Sequence, residues 1–133
     1  MQSSTREGSL DKTGDLAVYL VDGITDLSGK SAYGETVQTS DQKHVQRINI
    51  CKSALSSWRL AASTVGHELN HAYHFISGAY NRWSKISADY AFAKSEYISQ
   101  AWEYMNGGVP TNSIMMDNFN TMISKEYAVG RKK

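Results

Sequence analysis

His67-Glu68-Leu69-Asn70-His71 brings together, in five consecutive residues, the side chains that metal-assisted hydrolysis requires. Residues four apart on an α-helix lie on one face, one turn apart. Two imidazoles at that spacing can therefore converge on one cation. Glu68 is turned by about 100° from His67, badly placed for the same coordination corner but well placed to reach a water held there. The spacing thus predicts two neutral nitrogen ligands and one carboxylate base. Zinc suits imidazole and carboxylate ligands and needs no redox partner. From the chain's own His and Glu content, such a pattern arises by chance with a probability of roughly one in two hundred, which outweighs the plainer reading of two surface histidines on an amphipathic helix. The flanking Thr64, Val65, Leu69, Asn70 and Ala72 are uncharged and Tyr73 is a large ring. That is expected of a buried metal-binding helix, where an unpaired charge would be desolvated.

The stretch from Thr64 to Tyr73 resembles the zincin metallopeptidases, whose extended signature it fits. The resemblance covers roughly residues 56 to 106. It implies a zinc ion held by His67 and His71, with Glu68 polarising the attacking water. More weakly, Gly66-His67-Glu68-Leu69-Asn70-His71-Ala72-Tyr73-His74 followed by Ser95-Glu96-Tyr97 resembles metallopeptidase-type domains at the C-terminal ends of bacterial RHS-repeat toxin proteins. That likeness implies a toxin or effector domain of a larger secreted protein, although no RHS core repeat is present in the chain.

A catalytic zinc needs three protein ligands and one open position, and the motif supplies two. In glutamate-type zincins the third is a Glu on a following helix packed against the first, which the resemblance carries over to Glu96, 25 residues beyond His71. Glu103 lies seven residues further, on the same helix face two turns away. One of the two is expected to reach the metal, leaving the other to solvent or to a ligand's far side. Asp89 falls in a first helical turn, where a carboxylate suits the helix dipole in any case. His74 shares the face of His71 but lies about 10 Å along the axis from His67. Cys51 would match the upstream cysteine ligand of peptide deformylases, but Ile50-Cys51-Lys52 lacks a glycine-rich context, and a lone Cys at a strand end reads better as a small buried apolar residue.

A ligating His usually donates its other ring N–H to an acceptor; Gln100 and Ser99 are the candidates, each reading more readily as an ordinary helix residue. Tyr33, Tyr80, Tyr90, Tyr97, Tyr104 and His44 are available to stabilise an oxyanion, and none is singled out. Tyr97 and Tyr104, seven apart, read as a core-facing stripe with Ala93 and Ala101. Trp58, Trp83 and Trp102 are expected in the core or between helices. The strand Arg47 to Cys51 is either an edge that takes extended peptide by strand addition or plain scaffold.

These residues need a frame. Leu16 to Val21 ends at Asp22-Gly23 and reads as a strand, residues 22 to 33 as loop. Glu35 to Thr39 and Val45 to Cys51, separated by Ser40-Asp41-Gln42-Lys43, suggest a β-hairpin. The period then changes to that of a helix, capped by Ser56 or Ser57 and stopping at Ser77-Gly78. After a loop over residues 78 to 86, a second helix spans Ser87 to Asn106, and a third runs from Thr111–Ser113 to Gly130. Strands first and three helices after predict an α+β fold, a small zincin-like domain with a short N-terminal sheet. Residues 1 to 15 read as a polar lead-in and 16 to 133 as one domain.

The 133 residues suffice for one small core. A net charge of +1 offers no electrostatic case for nucleic acid or an anionic membrane. The chain has neither an apolar run of the ~20 residues a membrane span needs nor the apolar core of a signal peptide at its start. The expected partner is a peptide or protein substrate. A zinc amidase on a non-peptide substrate and a non-catalytic zinc-binding or interaction module are the alternatives. Oligomeric state is left open.

Overall fold

The computed structural model describes residues 17–26, 29–39, 44–108 and 112–131. Strands β1 (Val18–Val21), β2 (Gly34–Gln38) and β3 (Val45–Cys51) precede a 3-10 helix over Lys52–Ser56 and helices α1 (Trp58–Ile76), α2 (Ala79–Ser84), α3 (Ala88–Met105) and α4 (Asn112–Arg131). The result is the expected α+β class, a three-stranded mixed sheet followed by helices. One addition is α2, which occupies the stretch read as loop. Among the described residues no helix is long and apolar enough to cross a membrane.

The strand order is β1-β3-β2. β2 and β3 form the antiparallel hairpin, with a register shift between Val37 and Gln38, while β1 runs parallel to β3. The turn Ser40–Lys43 and the lead-in 1–15 lie outside the described residues. Both neighbours pair with β3, which removes the possibility of peptide addition along Arg47–Cys51. The strand with an unpaired side within the sheet, next to the His67–His71 motif, is β2. A parallel β1 could not be read from local pattern, because nothing in Val18–Val21 encodes its distant partner.

One face of the sheet is apolar. Val45, Ile48 and Ile50 form a core with Ala54, Ala72 and Phe75, against which Leu60 and Tyr80 pack. The opposite face carries a polar ladder: Asn49 donates to Glu35 and accepts from Arg47, both at 2.8 Å, and the Arg47 guanidinium lies over the Tyr19 ring.

α1 starts where Ser57, not Ser56, accepts a hydrogen bond from Leu60 N–H at 3.0 Å. It ends at Ser77, after which Gly78 turns the chain at φ 84° directly into α2. Its buried side includes Thr64, Glu68, the adjacent pair His71 and Ala72, and Phe75, a recurrence at three to four residues. Val65, Leu69, Tyr73 and Ile76 lie on the exposed side instead, so the apolar flank of the motif is not the buried face expected of it. Ser87 caps α3 by accepting from Tyr90 N–H at 2.9 Å.

α3 lies against α1 through small residues, Ala91, Ser95 and Ser99, all nearly or fully buried and spaced by four. The approach is closest at Gly66, where an added Cβ would stand 2.0 Å from the Trp102 ring. Trp102 thus packs between helices, and Trp83 packs on His74. Trp58 is 92 % exposed and Tyr104 68 % exposed, so neither belongs to the core as expected; each sits at a helix end with no element over it among the described residues. Tyr97 instead stacks on Phe119 of α4. Lys94 and Tyr90 bind Glu126, fastening α4 to α3.

The Gly66 contact yields an expected result. Gly66→Ala should force α1 and α3 apart, at an overpacking cost of about 1–3 kcal/mol, visible as a lower denaturation midpoint. Gly66→Ala combined with Trp102→Leu should recover part of the loss. Equal stability of the single variant and the parent would mean that the helices do not pack through this point.

Candidate metal centre

α1 presents His67 and His71 one turn apart, and α3 returns antiparallel with Glu96 opposite them. Nε2 of His67 lies 3.0 Å from Nε2 of His71. The Glu96 carboxylate straddles the pair, with Oε2 2.8 Å from His71 Nε2 and Oε1 3.4 Å from His67 Nε2. Ligand atoms about 2.0–2.2 Å from a tetrahedral ion stand about 3.3–3.6 Å from one another. The donor separations of 2.8, 3.0 and 3.4 Å are within about half an ångström of that spacing, and two nitrogens with a carboxylate are a donor set that first-row divalent ions accept. His67, His71 and Glu96 therefore form a group that could hold a metal ion.

The other candidate ligands lie elsewhere. Glu103 reaches the far side of His67 and binds its Nδ1, leaving Nε2 to the ligand group. Asp89 is exposed in the first turn of α3. Cys51 is buried beneath the sheet end, its thiol near the Asp22 carbonyl and the Ser53 hydroxyl. His74 is buried and turns its Nδ1 to Ser95.

Ser95 was missed by sequence reasoning. Its hydroxyl oxygen lies 2.7 Å from His71 Nδ1 and 2.7 Å from His74 Nδ1. The residues considered for this place act otherwise: Ser99 donates to the Ser95 carbonyl, and Gln100 accepts from Asn118 of α4. The missed signal was the adjacency of Ser95 to Glu96. When α3 turns Glu96 towards the histidine tips, the preceding residue faces their other edge.

Glu68 stands beside the group without joining it. It is 5 % exposed, and its Oε1 lies 2.8 Å from the Thr36 hydroxyl of β2. The same hydroxyl is 3.0 Å from the Glu68 main-chain carbonyl. Gly34 allows this approach, since an added Cβ would meet Glu68 Cγ and Thr64 Cγ2 at 2.9 Å. Burial raises the Glu68 carboxyl above the usual carboxylate range despite the nearby His71 and His67.

Burial alone would lower the His67 imidazole, but the carboxylates of Glu103 and Glu96 outweigh it and raise its pKa to about 10. Burial would likewise raise Glu96, yet hydrogen bonds from His67 and His71 hold it far below its ordinary value. For His74, burial dominates and its pKa falls to about 4. A proton on His67 thus offsets part of the negative charge of these two carboxylates.

This balance has a measurable consequence. A metal must displace the Nε2 proton of His67, so binding at neutral pH should release about one proton per ion. Calorimetry in buffers of different ionisation enthalpy measures that number. The sign for stability follows from a folded-state pKa above the unfolded one. Stabilisation from His67 is fully present below about 6.5 and is lost as pH rises towards about 10. The protein stripped of metal should therefore melt at lower temperature as pH climbs across that window, and the metal-loaded protein should show a flatter profile. No proton release and parallel profiles would remove the His67 ion pairs from the account.

The group opens on a cleft of about 1010 Å³, walled by β2, α1 and α3 and lined by Tyr33, Gly34, Glu35, Thr36, Arg59, Tyr80 and Phe92, among others. Of the candidate oxyanion residues, Tyr33 and Tyr80 border this cleft. Tyr80 packs on Phe75, and burial together with the Glu96 charge raises its phenol pKa. Comparison with protein-family models, curated proteins and solved structures gives no match for the chain.

Proposed function

We propose that the protein is a zinc-dependent hydrolase of peptide bonds, with His67, His71 and Glu96 as ligands and Glu68 as general base. The observation that carries this reading is the position of Glu68. A buried carboxylate stands beside a three-donor group, held by Thr36 and turned to the wall of an open cleft. A purely structural zinc is closed by a fourth protein ligand, and the group found among the described residues has three members.

When bound, zinc supplies a Lewis acid that acidifies water and polarises a carbonyl. The residues of the chain do the rest. Glu68, raised by burial, can take a proton from water at the group and pass it to the leaving amine. Thr36 keeps that carboxylate from swinging onto the metal. The side of β2 not paired within the sheet, Gly34–Gln38, borders the cleft and offers backbone groups to an extended peptide. Its Gly34 lets the strand pass close against Glu68. A place as the effector domain of a larger secreted toxin is proposed on the resemblance of residues 66–74 and 95–97 alone.

The test is cleavage of unstructured polypeptides by the zinc-loaded protein, read as new N-termini by mass spectrometry. Removal of zinc by a chelator should stop cleavage, and added zinc should restore it. A fully loaded protein that cleaves simple amides but no peptide would move the assignment to an amidase. One that cleaves neither would leave a metal-binding module.

A further inference from the structure

The two histidines of the group are held from behind in different ways. His67 leans on a carboxylate, Glu103. His71 leans on a neutral hydroxyl, that of Ser95, which also touches a third histidine, His74. Ser95 is 1 % exposed, His74 4 % and His71 8 %, so no bulk water competes for these bonds. His74 is fixed in turn by the edge of the Trp83 ring, 5.1 Å away between centroids.

We propose that Ser95 and His74 are positioning residues which form a one-way hydrogen-bond relay, fixing the His71 ring with Nε2 towards the metal. The proposal rests on metal binding by His71, and its direction follows from proton counting. A ligating nitrogen carries a lone pair, so the His71 proton must reside on Nδ1 when Nε2 faces the ion. Nδ1–H then donates to the Ser95 oxygen. That oxygen has one proton of its own, and the other nitrogen at 2.7 Å is His74 Nδ1. The hydroxyl therefore donates to His74, which accepts on Nδ1 and keeps its own proton on Nε2. A reversed relay would put the lone pair of His71 on Nδ1 and its proton on Nε2, where it would block the metal. His74 thus acts on the ion without touching it, because its Nδ1 is placed to accept the one proton of the Ser95 hydroxyl.

The experiment is long-range proton–nitrogen correlation NMR on the histidine-labelled, zinc-loaded protein, with zinc affinity measured by chelator competition. Expected are His71 protonated at Nδ1 and His74 protonated at Nε2 with a bare Nδ1. Ser95→Ala and His74→Phe should each weaken zinc binding about 10–100-fold, whereas His74→Asn, which keeps an acceptor near the former Nδ1 position, should stay within about threefold of the parent. A proton on His74 Nδ1, or unaltered zinc affinity in His74→Phe, would overturn the relay while leaving the metal site intact. If the parent takes up no zinc, it is the metal-hydrolase reading that fails. Should His74→Phe not fold, the tautomers of the parent protein decide the matter alone.

Discussion

Glu68→Gln should retain zinc and parental stability while losing turnover by at least ~10²–10⁴-fold, the range of a general base. The substitution preserves shape, and the amide oxygen can still accept from the Thr36 hydroxyl that now binds Oε1 at 2.8 Å. What it removes is basicity. Glu68 itself is 5 % exposed and held in place by Thr36, and solvent entering the cleft supplies no positioned base to replace the lost carboxylate. Burial also sets the carboxyl above the usual range, which improves it as a proton acceptor near neutral pH. Zinc content and kcat measured on the same preparations give the answer. Loss of zinc in proportion to activity would make Glu68 a ligand, and full activity would remove it from the chemistry.

Removal of His67 and His71 together should abolish stoichiometric zinc binding. The finer result concerns the two glutamates of α3. Structural zinc sites bind with about 10–16 kcal/mol shared among four ligands, so loss of one ligand should weaken binding on the order of 10²–10³-fold. That is the expectation for Glu96→Ala. Glu103→Ala takes away the partner of His67 Nδ1 and not a ligand, and should weaken binding about 10–100-fold. The order matters more than the sizes. Glu96 is aimed between both Nε2 atoms, at 2.8 Å and 3.4 Å, whereas Glu103 meets the opposite edge of one ring. The reverse order would transfer the ligand role seven residues along α3. Unaltered zinc in both variants would dissolve the site.

Several elements were legible because their cause is local. Ser57 and Ser87 announce helix starts, since a side-chain oxygen can satisfy a free backbone N–H three residues on. Gly78 announces a stop, as its φ of 84° suits glycine. The alternation in Val45–Cys51 and its neighbour announces a hairpin. The reading failed where local pattern had to stand for distant contact. Trp58 looked like core as a large ring and Tyr104 through its seven-residue spacing from Tyr97, yet no element among the described residues covers either. The strand Arg47–Cys51 stayed open between edge and scaffold because β1, far off in sequence, gave no sign of pairing with it in parallel. Helix α2 is six residues long, too short for periodicity to separate it from loop.

The sequence by itself determined that His67 and His71 share one helix face with Glu68 turned aside. It also determined that a second amphipathic helix with Glu96 and Glu103 follows within reach. Those relations depend on the 3.6-residue turn, which every helix carries with it. Only the tertiary structure decided which glutamate meets the Nε2 atoms and which meets Nδ1. A rotation and translation of α3 on α1 separate the two outcomes, and these are set by small side chains at Ala91, Ser95 and Ser99 and by Trp102 seated on Gly66. The same docking put the Ser95 hydroxyl between His71 and His74. The approach of β2, permitted at Gly34, put Thr36 on Glu68. Hydrogen bonds act over about 3 Å, so partners 21 to 32 residues apart in the chain become definite once the packing of whole elements has brought them to that distance.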